Sequence, residues 1–184
     1  MSPRPVLSIR VADEQFEDYI LNGEFTFTVR GYASVRVGEP VAAWPVTEVV
    51  PYEKNYGVDS LEFSERRMSG DSTVLVAWLG EEAVGHVVLR AHGNGFAHID
   101  ELAVDIPARR NGVARSLLES ACRWSQSRRL AGIMLETQNN NLDACRLYED
   151  FGFVVGGVDH LCYRGIDPQT REVAIFWYLI FPAA

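Results

Sequence analysis

The most constraining feature of this sequence is a strand-like segment that runs through a short basic turn into an amphipathic helix. Residues 97–104 are typical of a β-strand, and the helix is predicted to begin at Gly112. The first N–H groups of a helix lack partners in their own helix, and the helix dipole adds positive charge there. Because no Ser, Thr, Asp or Asn stands just before Val113, we expect pyrophosphate to contact this backbone. The predicted anion site comprises Arg109, Arg110, Asn111, Gly112, Val113, Ala114 and Arg115.

The same turn is also compatible with ordinary solvated surface. Arg-x-x-Gly-x-Ala occurs by chance in many chains, so residues 109–114 alone do not decide between the two interpretations. The chain has a formal net charge of −8, and an anionic ligand therefore needs a local basic patch. The adjacent arginines of this turn supply one, which favours the anion site.

Length, charge and cysteine spacing limit the possible functions. A chain of 184 residues is expected to form one domain, 1–184, with a substantial core. The negative charge argues against nucleic-acid binding and favours a cationic substrate. No apolar run reaches membrane-spanning length and residues 1–5 lead into no signal-peptide core, so we expect a cytoplasmic protein without a membrane partner. Cys122, Cys145 and Cys162 lack C-x-x-C spacing and are expected to be reduced core residues.

Hydrophobic periodicity predicts an antiparallel sheet followed by alternating helices and strands. Gly80-Glu81-Glu82 and Asn94-Gly95 predict two hairpin turns. The segment 45–72 is polar and contains Pro45 and Pro51, which predicts loops, with a short helix as an alternative. Strands are predicted at 6–11, 25–37, 74–79, 83–91, 97–104, 132–137, 153–163 and 173–181, and helices at 13–22 (capped by Asp13), 113–128 and 142–151.

A second motif lies further along the chain, in residues 141–153. It consists of Asn141, Ala144, Leu147-Tyr148 and Gly152-Phe153. This motif and the basic turn, in this order, resemble the two hallmarks of the GNAT acetyltransferase superfamily. The resemblance implies an α/β GNAT fold with a mixed, mostly antiparallel central sheet, flanking helices and splayed central strands. It also implies an N-acetyltransferase that uses acetyl-CoA and no metal ion.

The resemblance assigns roles to residues of the strand and of the second motif. Tyr148 is expected to be the general acid that protonates the leaving thiolate, with a core aromatic as the alternative. Asn141 is expected to contact the CoA chain, to cap its helix, or to do both. The backbone groups of Leu102, Ala103 and Val104 are expected to bind the pantetheine arm and the thioester oxygen.

Two adjacent acids, Asp100 and Glu101, are the candidate general bases. Successive strand residues face opposite sides, so only one of them is expected to point into the site unless a bulge intervenes. Which acid accepts the amine proton, directly or through a water, is left open by the sequence.

A closer resemblance, over roughly residues 50–181, is to the streptothricin acetyltransferases, which acetylate the β-lysine arm of that polycationic antibiotic. It is based on Pro51-Tyr52-x-Lys54-x-Tyr56, residues 128–141, Gly156 to Asp159, Tyr163, and residues 172–178. The implied substrate residues are Tyr52, Tyr56, Asp159, Tyr163 and Trp177, although several of these aromatics could equally be core. An acidic run in the relatives is replaced here by the mixed stretch 58–71, which leaves the substrate open.

Three other functions remain possible at this level. They are a GNAT enzyme for another amine (a protein N-terminus or a polyamine), a non-catalytic acyl-CoA-binding module, and a structural domain. A monomer and a homodimer are both compatible with the sequence. The histidines lack metal-ligand spacing and are interpreted as polar strand positions; they are His86, His92, His98 and His160.

Overall fold

The periodicity of the sequence produces nine strands and four helices in residues 6–57 and 60–182, the part of the chain that the computed structural model describes. The elements in chain order are β1 (Leu7–Val11), α1 (Phe16–Asn22), β2 (Phe27–Ala33), β3 (Val46–Lys54), α2 (Ser60–Met68), β4 (Ser72–Leu79), β5 (Glu82–Ala91), β6 (Ala97–Val104), α3 (Val113–Ser127), β7 (Gly132–Gln138), α4 (Leu142–Phe151), β8 (Val154–Asp159) and β9 (Ala174–Ile180). Two short 3-10 helices, Val41–Ala43 and Ile106–Ala108, complete the set.

These residues form two compact units. The first runs to Phe25 and resumes at Tyr56–Ile133; the second comprises Thr26–Asn55 and the chain from Met134 onward. Of the seven sheet strands, β1, β4, β5 and β6 lie side by side in the first unit, and β7, β9 and β8 lie side by side in the second. The expected α/β class, a mixed sheet flanked by helices, is confirmed. The single-domain organisation and the splayed central strands stay predictions.

The first unit contains both predicted hairpins. β4, β5 and β6 pair antiparallel, and their turns place Gly80 and Gly95 at positive φ, 65° and 85°. One face of β4 and β5 packs through Val74, Val76 and Val88 against the apolar residues of α1 and α2. The other face receives α3 so closely that a Cβ at Gly85 would lie 3.0 Å from Val113 Cγ1. The sheet is therefore covered on both sides in this unit.

The second unit fixes the ends of α4 by backbone and side-chain caps. Asn141 Oδ1 accepts the Ala144 N–H at 3.3 Å, so its predicted capping role is confirmed. Gly152 adopts φ 112°, and the N–H groups of Gly152 and Phe153 donate to the Tyr148 carbonyl at 3.2 and 3.0 Å. These caps hold the helix that carries Tyr148.

For residues 45–72, the predicted short helix is confirmed by α2, whereas the prediction of loops is wrong for Val46–Lys54. β3 forms there and pairs with β2 in a separate two-stranded ribbon, and α2 follows. β3 is exposed along most of its length, so it lacks the alternation of buried and exposed side chains that reveals a strand. A ribbon strand of this kind also tolerates Pro51, because an edge residue need not donate to a neighbour.

Several predicted boundaries also move. α1 begins at Phe16 with Gln15 as its N-cap, and Asp13 instead accepts the Gln15 N–H at 3.0 Å, so the predicted Asp13 cap is wrong. β2 and β9 are shorter than predicted. β8 ends at Asp159, whose carboxylate accepts the N–H groups of Leu161 and Cys162 at 2.7 and 3.1 Å and turns the chain.

The cysteines differ in burial, and all three are reduced thiols. Cys145 is buried, which raises the pKa of its thiol to about 12, and Cys122 is partly buried. Cys162 is exposed, so the expectation that it is a core residue is wrong. Among the helices in the described part of the chain, none is long and apolar enough to cross a membrane. Residues 1–5, on which the absence of a signal peptide was argued, lie outside the described residues.

Candidate active site

The predicted anion site lies at the start of α3, in the first unit. Gly112 is the N-cap residue with φ 78°, it has no side chain to accept the first N–H groups, and the first helical turn contains no acid. Arg110 also has a positive φ, 64°, so the turn is tightly wound just before the helix. A Cβ at Gly112 would meet nothing within 4 Å, which leaves room for a ligand against the backbone. These features fit a phosphate group.

Neighbouring side chains fix the shape of this turn. Arg109 Nε donates to the Val104 carbonyl at 2.9 Å, and Asn111 Nδ2 donates to the carbonyls of Ala108 and Arg109 at 3.3 and 3.2 Å. Arg115 forms an ion pair with Glu119 at 3.6 Å on the helix surface. Val113 is buried, and Ala114 is partly exposed. Contact between any of these residues and the cofactor stays a prediction.

A β-bulge places both candidate bases on one face of β6. Glu101 pairs with Val88 and Ile99 pairs with Leu89, so Asp100 is the extra residue. Asp100 contacts Arg90, and Glu101 contacts His86, two residues that share one face of β5 by strand alternation. Strict alternation would place the two acids on opposite faces of β6. The bulge at Asp100 interrupts this alternation, so both acids lie on the same face.

Asp100 is enclosed by two arginines and a histidine. Its carboxylate accepts hydrogen bonds from Arg90 Nε at 2.8 and 3.1 Å and lies 2.6 Å from His98 Nδ1 and 3.3 Å from Arg66 Nε. Burial by itself would raise the pKa of Asp100, but the hydrogen bonds from His98 and Arg90 outweigh it and lower that pKa. An acid held in its charged form by three partners is a poor proton acceptor.

Glu101 has a different environment from Asp100. Its side chain is 31% exposed, against 16% for Asp100, and Oε1 lies 3.1 Å from Nε2 of the fully buried His86. The other nitrogen of that ring, Nδ1, lies 3.3 Å from the Tyr19 hydroxyl. Of the two acids, Glu101 has the more exposed side chain.

The backbone of β6 that follows these two acids pairs with β5. Leu102, Ala103 and Val104 pair with Val87, His86 and Gly85 of β5. The Val104 carbonyl also accepts from Arg109, so this oxygen shapes the turn before α3. Binding of the pantetheine arm by these three residues stays a prediction.

Tyr148 lies in the second unit and is 7% exposed. Its ring packs 5.7 Å from Phe153 and 6.2 Å from Trp177, measured between centroids. Tyr148 is therefore a buried core aromatic, as the alternative interpretation predicted. The general-acid role of its hydroxyl, and the contact of Asn141 with the CoA chain, stay predictions.

The implied substrate residues fall into different environments. Trp177 is 1% exposed and belongs to the core, and Asp159 is used in the turn after β8. Tyr163 donates a short hydrogen bond to Glu136 within the second unit. Burial and a 2.7 Å hydrogen bond with Tyr32 raise the pKa of Tyr52 to about 12. Tyr56 is exposed and lies in the first unit.

Each unit also contains an ion pair that the sequence did not reveal. In the second unit, Lys54 forms a short ion pair with Glu172 and lies 2.6 Å from Gln138 Oε1. Lys54 was noted only for its place in the Pro51–Tyr56 motif. In the first unit, Arg66 of the mixed stretch 58–71 forms an ion pair with Asp100. Residues 58 and 59 of that stretch lie outside the described residues.

Residues 6–57 and 60–182 contain no cluster of three or more His, Cys, Asp or Glu arranged to hold a metal ion. The histidines found on strands instead bond to acids, as His98 does with Asp100 and His86 does with Glu101.

Comparison with known proteins decides the family. Residues 39–153 match the acetyltransferase (GNAT) family. The chain belongs to this family. It is 36% identical over 172 residues to streptothricin acetyltransferase of Escherichia coli, covering 94% of this chain and 95% of that protein. Streptothricin acetyltransferase A of Bacillus subtilis is 36% identical over 141 residues, which cover 75% of this chain and 80% of that protein.

A similar solved structure contains acetyl coenzyme A. The crystal structure named 'putative streptothricin acetyltransferase from Bacillus anthracis str. Ames', in complex with acetyl coenzyme A, superposes with a TM-score of 0.85 at 34% identity, covering 96% of this chain and 100% of that one. The GNAT chain described here is therefore an acetyl-CoA-dependent N-acetyltransferase. The predictions of family, fold, enzyme class and cofactor are confirmed.

Proposed function

We propose that this GNAT enzyme acetylates a primary amine of streptothricin, on the β-lysine moiety. The observation that carries the proposal is 36% identity to a streptothricin acetyltransferase along almost the full length of both chains. The net charge of −8 supports it, because an acidic protein attracts a polycation. In the mixed stretch 58–71, the charge of one of the two arginines, Arg66, is offset by its ion pair with Asp100.

Acetyl transfer to an amine requires removal of a proton. A lysine-type ammonium has a pKa of about 10.4, so neutralising it at pH 7 costs about 4.6 kcal/mol. We assign the proton acceptor to Glu101, because its carboxylate is partly exposed and the ion-paired Asp100 is not available. When bound, acetyl-CoA supplies a thioester carbonyl that the neutral amine attacks, and the C–S bond breaks to release CoA as a thiolate.

The start of α3 is proposed to hold the pyrophosphate of the cofactor. The backbone N–H groups that follow Gly112 donate to phosphate oxygens, and the Arg110 side chain adds positive charge. Arg109 and Asn111 maintain the turn through the hydrogen bonds already described. On this proposal the backbone of Leu102, Ala103 and Val104 orients the pantetheine arm, and Asn141 contacts it.

Tyr148 is proposed to donate a proton to the departing sulfur. Replacing Tyr148 with Phe keeps the ring contacts with Phe153 and Trp177 and removes only the hydroxyl. We expect Tyr148→Phe to lower kcat by about 100-fold or more, since a general acid is lost, with little change in acetyl-CoA affinity. Steady-state kinetics with calorimetry of acetyl-CoA binding checks this, and unchanged turnover removes Tyr148 from the mechanism.

The substrate is tested by mass spectrometry of the product. We expect incubation with acetyl-CoA and streptothricin to give a product heavier by one acetyl group, and spermidine and peptides with a free N-terminus to react far more slowly. Faster acetylation of a peptide or a polyamine would replace streptothricin with that amine class. Acetyl-CoA binding without turnover of any amine would favour a non-catalytic acyl-CoA-binding module.

A further inference from the structure

His86 is a fully buried polar side chain whose neighbours in β5, Val84 to Leu89, are otherwise apolar or glycine. Its relative exposure is 0%, and it lies on β5 between residues that face α1 and α2. Four aromatic rings surround the imidazole at centroid distances of 5.3 to 5.7 Å, all edge-on; they belong to Phe16, Tyr19, Phe25 and Phe63. A leucine or phenylalanine would bury here without any cost of desolvation, so the histidine calls for an explanation.

Both ring nitrogens of His86 have partners. Nε2 lies 3.1 Å from Glu101 Oε1, and Nδ1 lies 3.3 Å from the Tyr19 hydroxyl. An ionised carboxylate can only accept, so Nε2 carries the hydrogen of the first contact. In a neutral ring Nδ1 then accepts the Tyr19 O–H. The hydrogen bonds therefore run in one direction, from the Tyr19 hydroxyl to His86 and from His86 to Glu101.

Strand register explains why the two side chains meet. His86 pairs with Ala103 and Val88 pairs with Glu101, so His86 and Glu101 are diagonal neighbours on one face of the β5–β6 pair. The bulge at Asp100 is what brings Glu101 to this face. The contact with His86 is made by Oε1 of Glu101, and the second carboxylate oxygen, Oε2, takes no part in it.

Tyr19 is well suited to be the outer donor. Burial, followed by the negative charges of Asp105 and Glu101, raises the pKa of its hydroxyl far above the ordinary value. The hydroxyl therefore stays protonated across the pH range in which the enzyme would be assayed. The groups that face the His86–Tyr19 pair are thus one carboxylate at Nε2, the more distant Asp105, and aromatic rings.

We propose that His86, held by Tyr19, is a positioning residue that orients the Glu101 carboxylate to accept the substrate proton. This inference rests on the proposed role of Glu101 as base. His86 contacts neither the substrate nor the cofactor and acts through Glu101. The hydrogen bond to Oε1 fixes the rotation of the carboxylate and leaves Oε2 for the amine.

The first test compares three substitutions in the complete enzyme. His86→Leu removes both hydrogen bonds and is expected to lower kcat about 10- to 100-fold, while KM for acetyl-CoA stays near wild type. His86→Gln is expected to recover most of this loss, because its amide donates to Glu101 and accepts from Tyr19. Phe63→Leu disturbs the same aromatic cluster without touching either hydrogen bond, and it is expected to reduce the melting temperature while keeping kcat.

A double-mutant cycle then separates positioning from simple structural support. If His86 acts through Glu101, His86→Leu costs little further activity in a Glu101→Gln background. Equal losses in both backgrounds overturn the proposal, as does full activity of His86→Leu or a failure of His86→Gln to exceed His86→Leu. Full activity of Glu101→Gln alone instead overturns the proposed base, so the two failures are told apart.

Discussion

Glu101→Gln is expected to lower kcat/KM for the amine about 100- to 10,000-fold, because it removes the group that accepts the substrate proton. The substitution keeps the size of the side chain and still offers Oε1 to the His86 hydrogen bond, so the local structure should persist. Affinity for acetyl-CoA should change little, since the proposed pyrophosphate site lies at the start of α3. Kinetics with varied amine, together with calorimetry of acetyl-CoA binding, measures both quantities.

The matched control is Asp100→Asn, at the neighbouring residue. This change is expected to leave most of the activity but to lower the free energy of unfolding by about 2 kcal/mol, because Arg66, Arg90 and His98 lose their charged partner. For a chain of this size the melting temperature should fall by about 4–8 °C. Inactive Asp100→Asn with active Glu101→Gln would exchange the assignments of the two acids.

The pH dependence of stability gives this control a definite sign. The pKa of Asp100 is lowered in the folded state, so the carboxylate stabilises the fold above the ordinary aspartate pKa, and this contribution is lost as the pH falls through the lowered value. The stability difference between wild type and Asp100→Asn should therefore be full at neutral pH and shrink in acid. Urea unfolding at several pH values checks it.

Sequence patterns predicted the central part of the fold because each signal there is local. The β4–β5–β6 hairpins have turn glycines, and α3 and α4 have regular apolar stripes with recognisable ends at Gly112 and Gly152. β3 was missed because most of its residues are exposed, so a strand stabilised by pairing with β2 shows no regular alternation of buried side chains. Predictions failed where a strand is defined by its partner and not by a core.

The two acids of β6 show a similar limit in the site. Their sequence positions identified them as candidates, but their roles depend on partners brought by pairing and packing: Arg90 from β5 and Arg66 from α2 for Asp100, and His86 for Glu101. A bulge of one residue decides which face each acid occupies, and alternation cannot reveal it. The one available signal was a histidine within the apolar run 84–89 of β5.

Gly112→Asp is expected to weaken acetyl-CoA binding by about 100-fold or more while the protein stays folded. The new carboxylate would stand at the N-cap of α3, accept the first N–H groups itself and repel the pyrophosphate. A Cβ meets nothing within 4 Å there, and aspartate tolerates the left-handed backbone better than most residues do. The added cap offsets that strain, so the melting temperature should remain close to wild type, and calorimetry and thermal unfolding separate the two effects.

Gly112→Asn and Gly112→Ala separate the effect of the aspartate charge on acetyl-CoA binding from the effects of its shape and of backbone strain. Asparagine has the same shape without the charge and can cap the helix, so it should weaken binding by about tenfold. Alanine introduces only the strain of φ 78° and should reduce stability more than binding. If Gly112→Asp binds acetyl-CoA as tightly as wild type does, the start of α3 is not the pyrophosphate site, because a carboxylate placed among those N–H groups cannot share them with a second anion.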